Sequence, residues 1–146
     1  VRPISSIVVH CSATIEGVDF DTDYIREMHI DRGFREVGYH YVIRLDGTIE
    51  KGRSVEEAGA HAKGFNDFSI GVCYIGGLNA ERKPKDTRTV AQYHSLRRCI
   101  EMLKIRFGDV PVMGHRDLSP DVNHDGQITP DEFMKQCPCF DCKTEL

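Results

Sequence analysis

Ile4-Ser5-Ser6-Ile7-Val8-Val9-His10-Cys11-Ser12 is dense in β-branched side chains and reads as a buried strand that ends on a histidine. Working outward, Thr22 to Arg32 predicts a helix, with acidic residues at its start and Gly33 as its stop. Tyr39 to Glu50 alternates around Asp46-Gly47, a hairpin signal between two strands. Lys51 to Ser69 is irregular and broken by Gly59 and Gly64, and Ile70 to Ile75 is a second buried strand closed by Gly76-Gly77. The clearest helix runs from Val90 to Phe107. Thr89 and Gln92 have capping-box spacing, Tyr93, Leu96, Ile100, Leu103 and Phe107 keep to one face, and Gly108 ends it. Val110 to Gly114 is a short last strand, followed by a tail that stays polar up to Phe133. Strands alternating with two substantial helices predict an α/β (α+β) fold, a single central mixed sheet flanked by helices. Both strand senses are expected, because one pair is a hairpin and the others are joined through helices.

The chain has 146 residues, which suits one domain spanning 1–146. Hydrophobic residues make up 40% and charged residues 29%, as in ordinary water-exposed globular chains, and no apolar run reaches membrane-spanning length. A net charge of −4 argues against nucleic acid as the partner. No stretch has the basic, apolar and small-residue order of a signal peptide. Of the six cysteines, Cys11, Cys73 and Cys99 sit where small buried hydrophobes belong. The trio Cys137, Cys139 and Cys142 is crowded enough to suggest metal chemistry, although Cys139 and Cys142 can also pair with each other.

Seven histidines are present. His29 and His94, on the two helices, are expected at the surface or half-buried, and His124 in a solvated loop. His10 and His115 differ, since each closes a strand, and strand ends place side chains at the sheet rim where open α/β folds hold their sites. With Cys137 they supply two imidazoles and a thiolate, a three-ligand zinc set that leaves the fourth corner for water. On chemistry alone a closed structural site, with Cys139 or Cys142 as fourth ligand, stays open.

Seven segments then occur in order: Val9-His10-Cys11-Ser12-Ala13-Thr14, Val37-Gly38-Tyr39-His40-Tyr41-Val42-Ile43, Asp46-Gly47-Thr48, Gly59-Ala60-His61-Ala62-Lys63-Gly64, Ser69-Ile70-Gly71-Val72, Gly114-His115-Arg116-Asp117 and Cys137-Pro138. Over residues 5 to 141 the chain resembles the phage-lysozyme-type zinc N-acetylmuramoyl-L-alanine amidases, relatives of the peptidoglycan recognition proteins. The resemblance implies zinc on His10, His115 and Cys137, a catalytic Tyr39, and a catalytic Lys135 two positions before the cysteine. It also implies His61 and Asn66 along the substrate groove, and hydrolysis of the lactyl-amide bond of peptidoglycan or muropeptides by a monomer. The expected setting is synthesis in a bacterial cytoplasm, from a phage, prophage or bacterial gene, with action on the cell wall. His40 alternates with Tyr39 along the predicted strand and is expected on the opposite face.

The chain departs from the family pattern between His115 and Cys137. Asp121 to Glu132 matches the calcium loop of an EF-hand, with Asp121, Asn123, Asp125, Gln127 and Glu132 at oxygen-ligand positions and Gly126 at the turn. Pro120 precludes an ordinary entering helix, so only half of an EF-hand is expected. Thr129-Pro130-Asp131-Glu132 is also a capping box with proline at its first position, and both readings can hold together. Two other functions compete. A non-catalytic peptidoglycan-binding module tends to lack a zinc ligand, whereas here the set is complete. A calcium-regulatory protein needs a paired second EF-hand, and none is visible.

Overall fold

The computed structural model describes residues 2–146. Its centre is a five-stranded sheet built from β1 (Ser6–Cys11), β3 (Tyr41–Ile43), β4 (Ile49–Lys51), β5 (Ser69–Tyr74) and β7 (Val112–Gly114), in the order β4-β3-β5-β1-β7. Neighbours are parallel except β4, which pairs antiparallel with β3 at one edge. The mixed sheet expected from one hairpin and several crossovers is therefore present. A smaller parallel pair, β2 (Thr14–Ile15) with β6 (Gly77–Leu78), follows on from β1 and β5.

Two helices flank the sheet. The α2 helix (Val90–Phe107) buries Leu96, Cys99, Ile100 and Leu103 against Ile7 and Val9 of β1 and Ile70, Val72 and Tyr74 of β5. Its ends are set locally: Thr89 and Gln92 form the reciprocal capping box, and Gly108 follows at φ 96°. Gln92 is buried because its amide also donates to the Ile43 and Ile75 carbonyls, tying the helix to β3 and the end of β5. Helix α1 (Thr22–Asp31) covers other residues of the sheet region, with Ile25 packed among Val37, Val42 and Ile75. A last turn, α3 (Cys142–Glu145), docks Phe140 and Cys142 into the α2 side of the core.

Three expectations change. His29 is buried rather than at the surface, because its Nδ1 accepts from the Gly38 amide. Tyr39 and His40 precede β3, so strict strand alternation does not separate them. Instead the Tyr39 ring lies 5.1 Å from His10 and the His40 ring 5.9 Å from His61. Around 121–132 no helix enters, as Pro120 predicts. The helix expected to leave the loop is only a single 3-10 turn at Pro130–Glu132, so no EF-hand frame is evident among the described residues. His94 and His124 are exposed as expected.

Candidate metal centre and groove

Strand pairing puts the histidines side by side. Strand β1 ends on His10, and β7, its parallel neighbour, runs directly into the 3-10 turn His115–Leu118. The His10 and His115 rings are 4.6 Å apart between centroids. Cys137 arrives from the far side of the 120–133 insertion and is fixed by backbone contacts. The Arg116 amide donates to the Cys137 carbonyl at 2.8 Å, and the Cys11 amide donates to Cys137 Sγ at 3.1 Å. Gly114 is required here, because a Cβ on it would stand 2.6 Å from Pro138 Cδ. The Tyr74 hydroxyl donates to the Pro138 carbonyl at 2.6 Å and holds the segment down.

One ligand atom each from His10, His115 and Cys137 lies within 4.8 Å of the others. Neither Cys139 nor Cys142 joins them. Cys139 Sγ faces the Gly77 carbonyl, and Cys142 is buried in the core. Burial holds both histidines neutral. His10 is well below the ordinary imidazole range, through burial and then the neighbouring His61, His115 and Lys135, and His115 is pushed down to about 4 by burial and then Lys135. Neutral imidazoles keep the lone pairs a metal needs.

Behind the set lies His61, expected along the groove, together with Ser69, which the sequence did not single out. His10 Nε2 is 2.9 Å from His61 Nδ1, and His61 Nε2 is 3.2 Å from Ser69 Oγ. His61 is pushed down to about 3, first by burial and then by His40. Its ring occupies space that β5 leaves open, since a Cβ on Gly71 would come within 2.6 Å of His61 Cγ. The Tyr39 hydroxyl is held well above its ordinary range by burial and by the surrounding thiols of Cys73, Cys137 and Cys11, so it keeps its proton at neutral pH.

A groove of about 660 Å³ opens beside His115. Arg32, Lys63 and Lys135 line it with Phe34 and Phe65, and no acidic side chain does, although the whole chain carries a net charge of −4. Lys135 and His115 line this groove together. Asn66 also borders the groove, but its Oδ1 accepts from the His61 and Ala62 amides at 2.9 and 3.0 Å, so it shapes the loop as well. The second predicted cluster lies between His115 and Cys137 in sequence: Asp121, Asp125 and Glu132 also bring ligand atoms within 4.8 Å of one another. The backbone amide of Gly126 donates to Asp121 Oδ2, that of Asn123 to Glu132 Oε2, that of Asp125 to Asn123 Oδ1 and that of Gln127 to Asp125 Oδ1.

The family described as N-acetylmuramoyl-L-alanine amidase matches residues 1–139. An endolysin of Klebsiella phage KP32 is 40% identical over 139 residues, covering 95% of this chain and 83% of that protein. The endolysin of Escherichia phage T7 is 37% identical over 138 residues, covering 94% and 82%. Among solved structures, the N-acetylmuramoyl-L-alanine amidase LysC of Clostridium intestinale superposes with a TM-score of 0.71 at 26% identity, over 94% of this chain and 77% of that one. A bumblebee peptidoglycan recognition protein, PGRP-SA, shares the fold at a TM-score of 0.73 and 22% identity, over 99% and 80%.

Proposed function

The chain belongs to the N-acetylmuramoyl-L-alanine amidase family, and from that premise we propose that it hydrolyses the amide between N-acetylmuramic acid and the first L-alanine of peptidoglycan stems. One observation carries the reading to the residues: His10, His115 and Cys137 converge, and His115 lines a groove walled by Arg32, Lys63 and Lys135. Two neutral imidazoles and a thiol, without a carboxylate, are a donor set that suits zinc. When bound, zinc supplies Lewis acidity, polarising the amide carbonyl and making a water ionisable near neutral pH.

The remaining roles fall to the chain. Lys135 offers positive charge to the carbonyl oxygen as its carbon becomes tetrahedral. Tyr39, protonated beside His10, holds the attacking water or passes a proton toward the leaving nitrogen. His61 and Asn66 border the substrate groove. Arg32 and Lys63 face the stem peptide there, whose carboxylates explain a groove without acidic side chains. We read residues 1–146 as one amidase domain acting as a monomer. Among the described residues no helix is long and apolar enough to cross a membrane.

We also assign calcium to the loop from Asp121 to Glu132. Its support is the convergence of three carboxylates and a buried Asp121 Oδ1 that has no hydrogen-bond partner. Asn123 and Gln127 complete the oxygen-ligand positions.

Mass spectrometry of digested peptidoglycan tests the reaction. Free stem peptides beginning with L-alanine, together with intact glycan, are the expected products. Cleaved sugars with the amide intact would reject it. Muropeptides with amidated carboxylates should show a raised KM with little change in kcat, and an unchanged KM would remove the groove cations from recognition.

A further inference from the structure

A chain of hydrogen bonds runs from a loop carbonyl to the edge of the metal set. Ser69 Oγ lies 2.7 Å from the Phe65 carbonyl oxygen, His61 Nε2 lies 3.2 Å from Ser69 Oγ, and His61 Nδ1 lies 2.9 Å from His10 Nε2. Distances alone leave the protons of two imidazoles unassigned. Here the end of the chain assigns them. A carbonyl oxygen can only accept, so the Ser69 hydroxyl donates its one proton to Phe65. Toward His61, Ser69 Oγ is then an acceptor, and neutral His61 carries its proton on Nε2. His61 Nδ1 is left with a lone pair, which accepts from His10 Nε2–H. The nitrogen of His10 that the chain does not use is Nδ1.

We propose that Ser69 and His61 are positioning residues that lock His10 as its Nε2–H tautomer and leave Nδ1 as the atom offered to the metal set. The clause about the metal rests on the zinc reading above, whereas the tautomer does not. Histidine ligands commonly donate their second nitrogen to a carboxylate or carbonyl, which orients the ring. In this protein the acceptor is another imidazole, and its polarity is inherited from a backbone oxygen two links away. The surroundings are built for that purpose. Ser69 is fully buried and His61 is 8% exposed, so water does not compete for these bonds. Gly71 gives up a side chain on β5 to seat the His61 ring. The His61 loop is itself held, because Asn66 Oδ1 accepts from the His61 and Ala62 amides. Asn66 therefore acts at one remove on the same imidazole.

The test is nitrogen-15 NMR of histidine in the metal-free protein, with zinc affinity measured separately by chelator competition. In the wild type, His10 should show a protonated Nε2 and an unprotonated Nδ1. Ser69→Ala removes the acceptor that sets the direction, so His61 and His10 should each become tautomer mixtures while the protein stays folded. His61→Leu should weaken zinc binding by about 10–100-fold, the usual scale for losing such a partner. His61→Gln keeps an oxygen that can accept from His10 Nε2–H, and it should recover most of that loss. A role in packing alone would lower thermal stability in these variants without moving the tautomer. A protonated Nδ1 on His10 in the wild type, or one unchanged tautomer in both wild type and Ser69→Ala, overturns the proposal. A protonated Nε2 in a wild type that binds no zinc would support the fixed tautomer and sink the zinc reading instead.

Discussion

The amide of Cys11 donates to Sγ of Cys137 across 126 positions of sequence, at 3.1 Å. Strand β1 therefore contributes twice to the metal set, through the His10 ring and, one residue on, through a backbone donor that holds the Cys137 sulfur in place. Cys137→Ala should abolish both zinc content and amidase turnover, while Cys139→Ala should retain zinc, since Cys139 faces the Gly77 carbonyl. Metal analysis of purified variants checks this, and stoichiometric zinc in Cys137→Ala would reject the ligand assignment.

Lys135 and Tyr39 should separate binding from chemistry. Lys135→Ala is expected to keep its zinc and lose about 10²-fold or more in kcat, the scale of removing one oxyanion stabiliser. Tyr39→Phe should behave similarly, because only the hydroxyl is lost. Normal turnover in either variant removes that residue from the mechanism.

Stability of the metal-free protein should fall as pH drops from about 6.5, the ordinary histidine value, toward 4. Burial, followed by nearby arginines for His29, holds His29 and His40 down to about 4 in the folded state. Both rings accept backbone protons, His29 from Gly38 and His40 Nδ1 from Gly71, so each must be unprotonated to keep its bond. The unfolded chain takes up protons that the folded chain refuses, and the stability present above about 6.5 is lost on acidification. Urea titrations from pH 7.5 to 4.5 should show this slope, and His40→Gln should flatten it. An identical slope in the variant would assign the acid sensitivity to other groups.

Calcium should raise the melting temperature of the wild type with concentration, because it binds the folded loop only. With half an EF-hand and no partner, affinity should lie on the order of 10⁻⁵ to 10⁻³ M. Asp121→Ala and Glu132→Ala should lose the shift when zinc is held constant. Equal shifts in all three proteins would reduce the segment to a capped turn.

The parts legible in the sequence were those written locally. Helix α2 begins and ends where Thr89, Gln92 and Gly108 specify, because a capping box and a C-terminal glycine act within one turn. His10 and His115 could be picked out because strand ends reach the sheet rim, although their closeness needed the β1–β7 pairing. Ser69, by contrast, looks like an ordinary strand residue. Its importance arises only when residues 61–69 fold back so that one hydroxyl meets a carbonyl and an imidazole together. His40 was misplaced for a related reason: alternation applies within a strand, and the pairing of β3 and β4 starts one residue later, at Tyr41. The two-residue strands β2 and β6 and the four-residue α3 are too short for any periodicity to register.

The insertion before Cys137 is pinched shut at its base, where the Met134 amide donates to Ser119 Oγ at 3.0 Å. Most of the residues between these two are exposed, beyond a base where Phe133 also stacks against Arg116, and the entropy of closing such a loop grows only slowly with its length. The segment is thus a cassette: its contents can be exchanged, shortened or given a new ligand while the amidase behind that base keeps its shape. An amidase of this family carries, between two residues of its candidate metal set, a port through which control by a second signal can be installed.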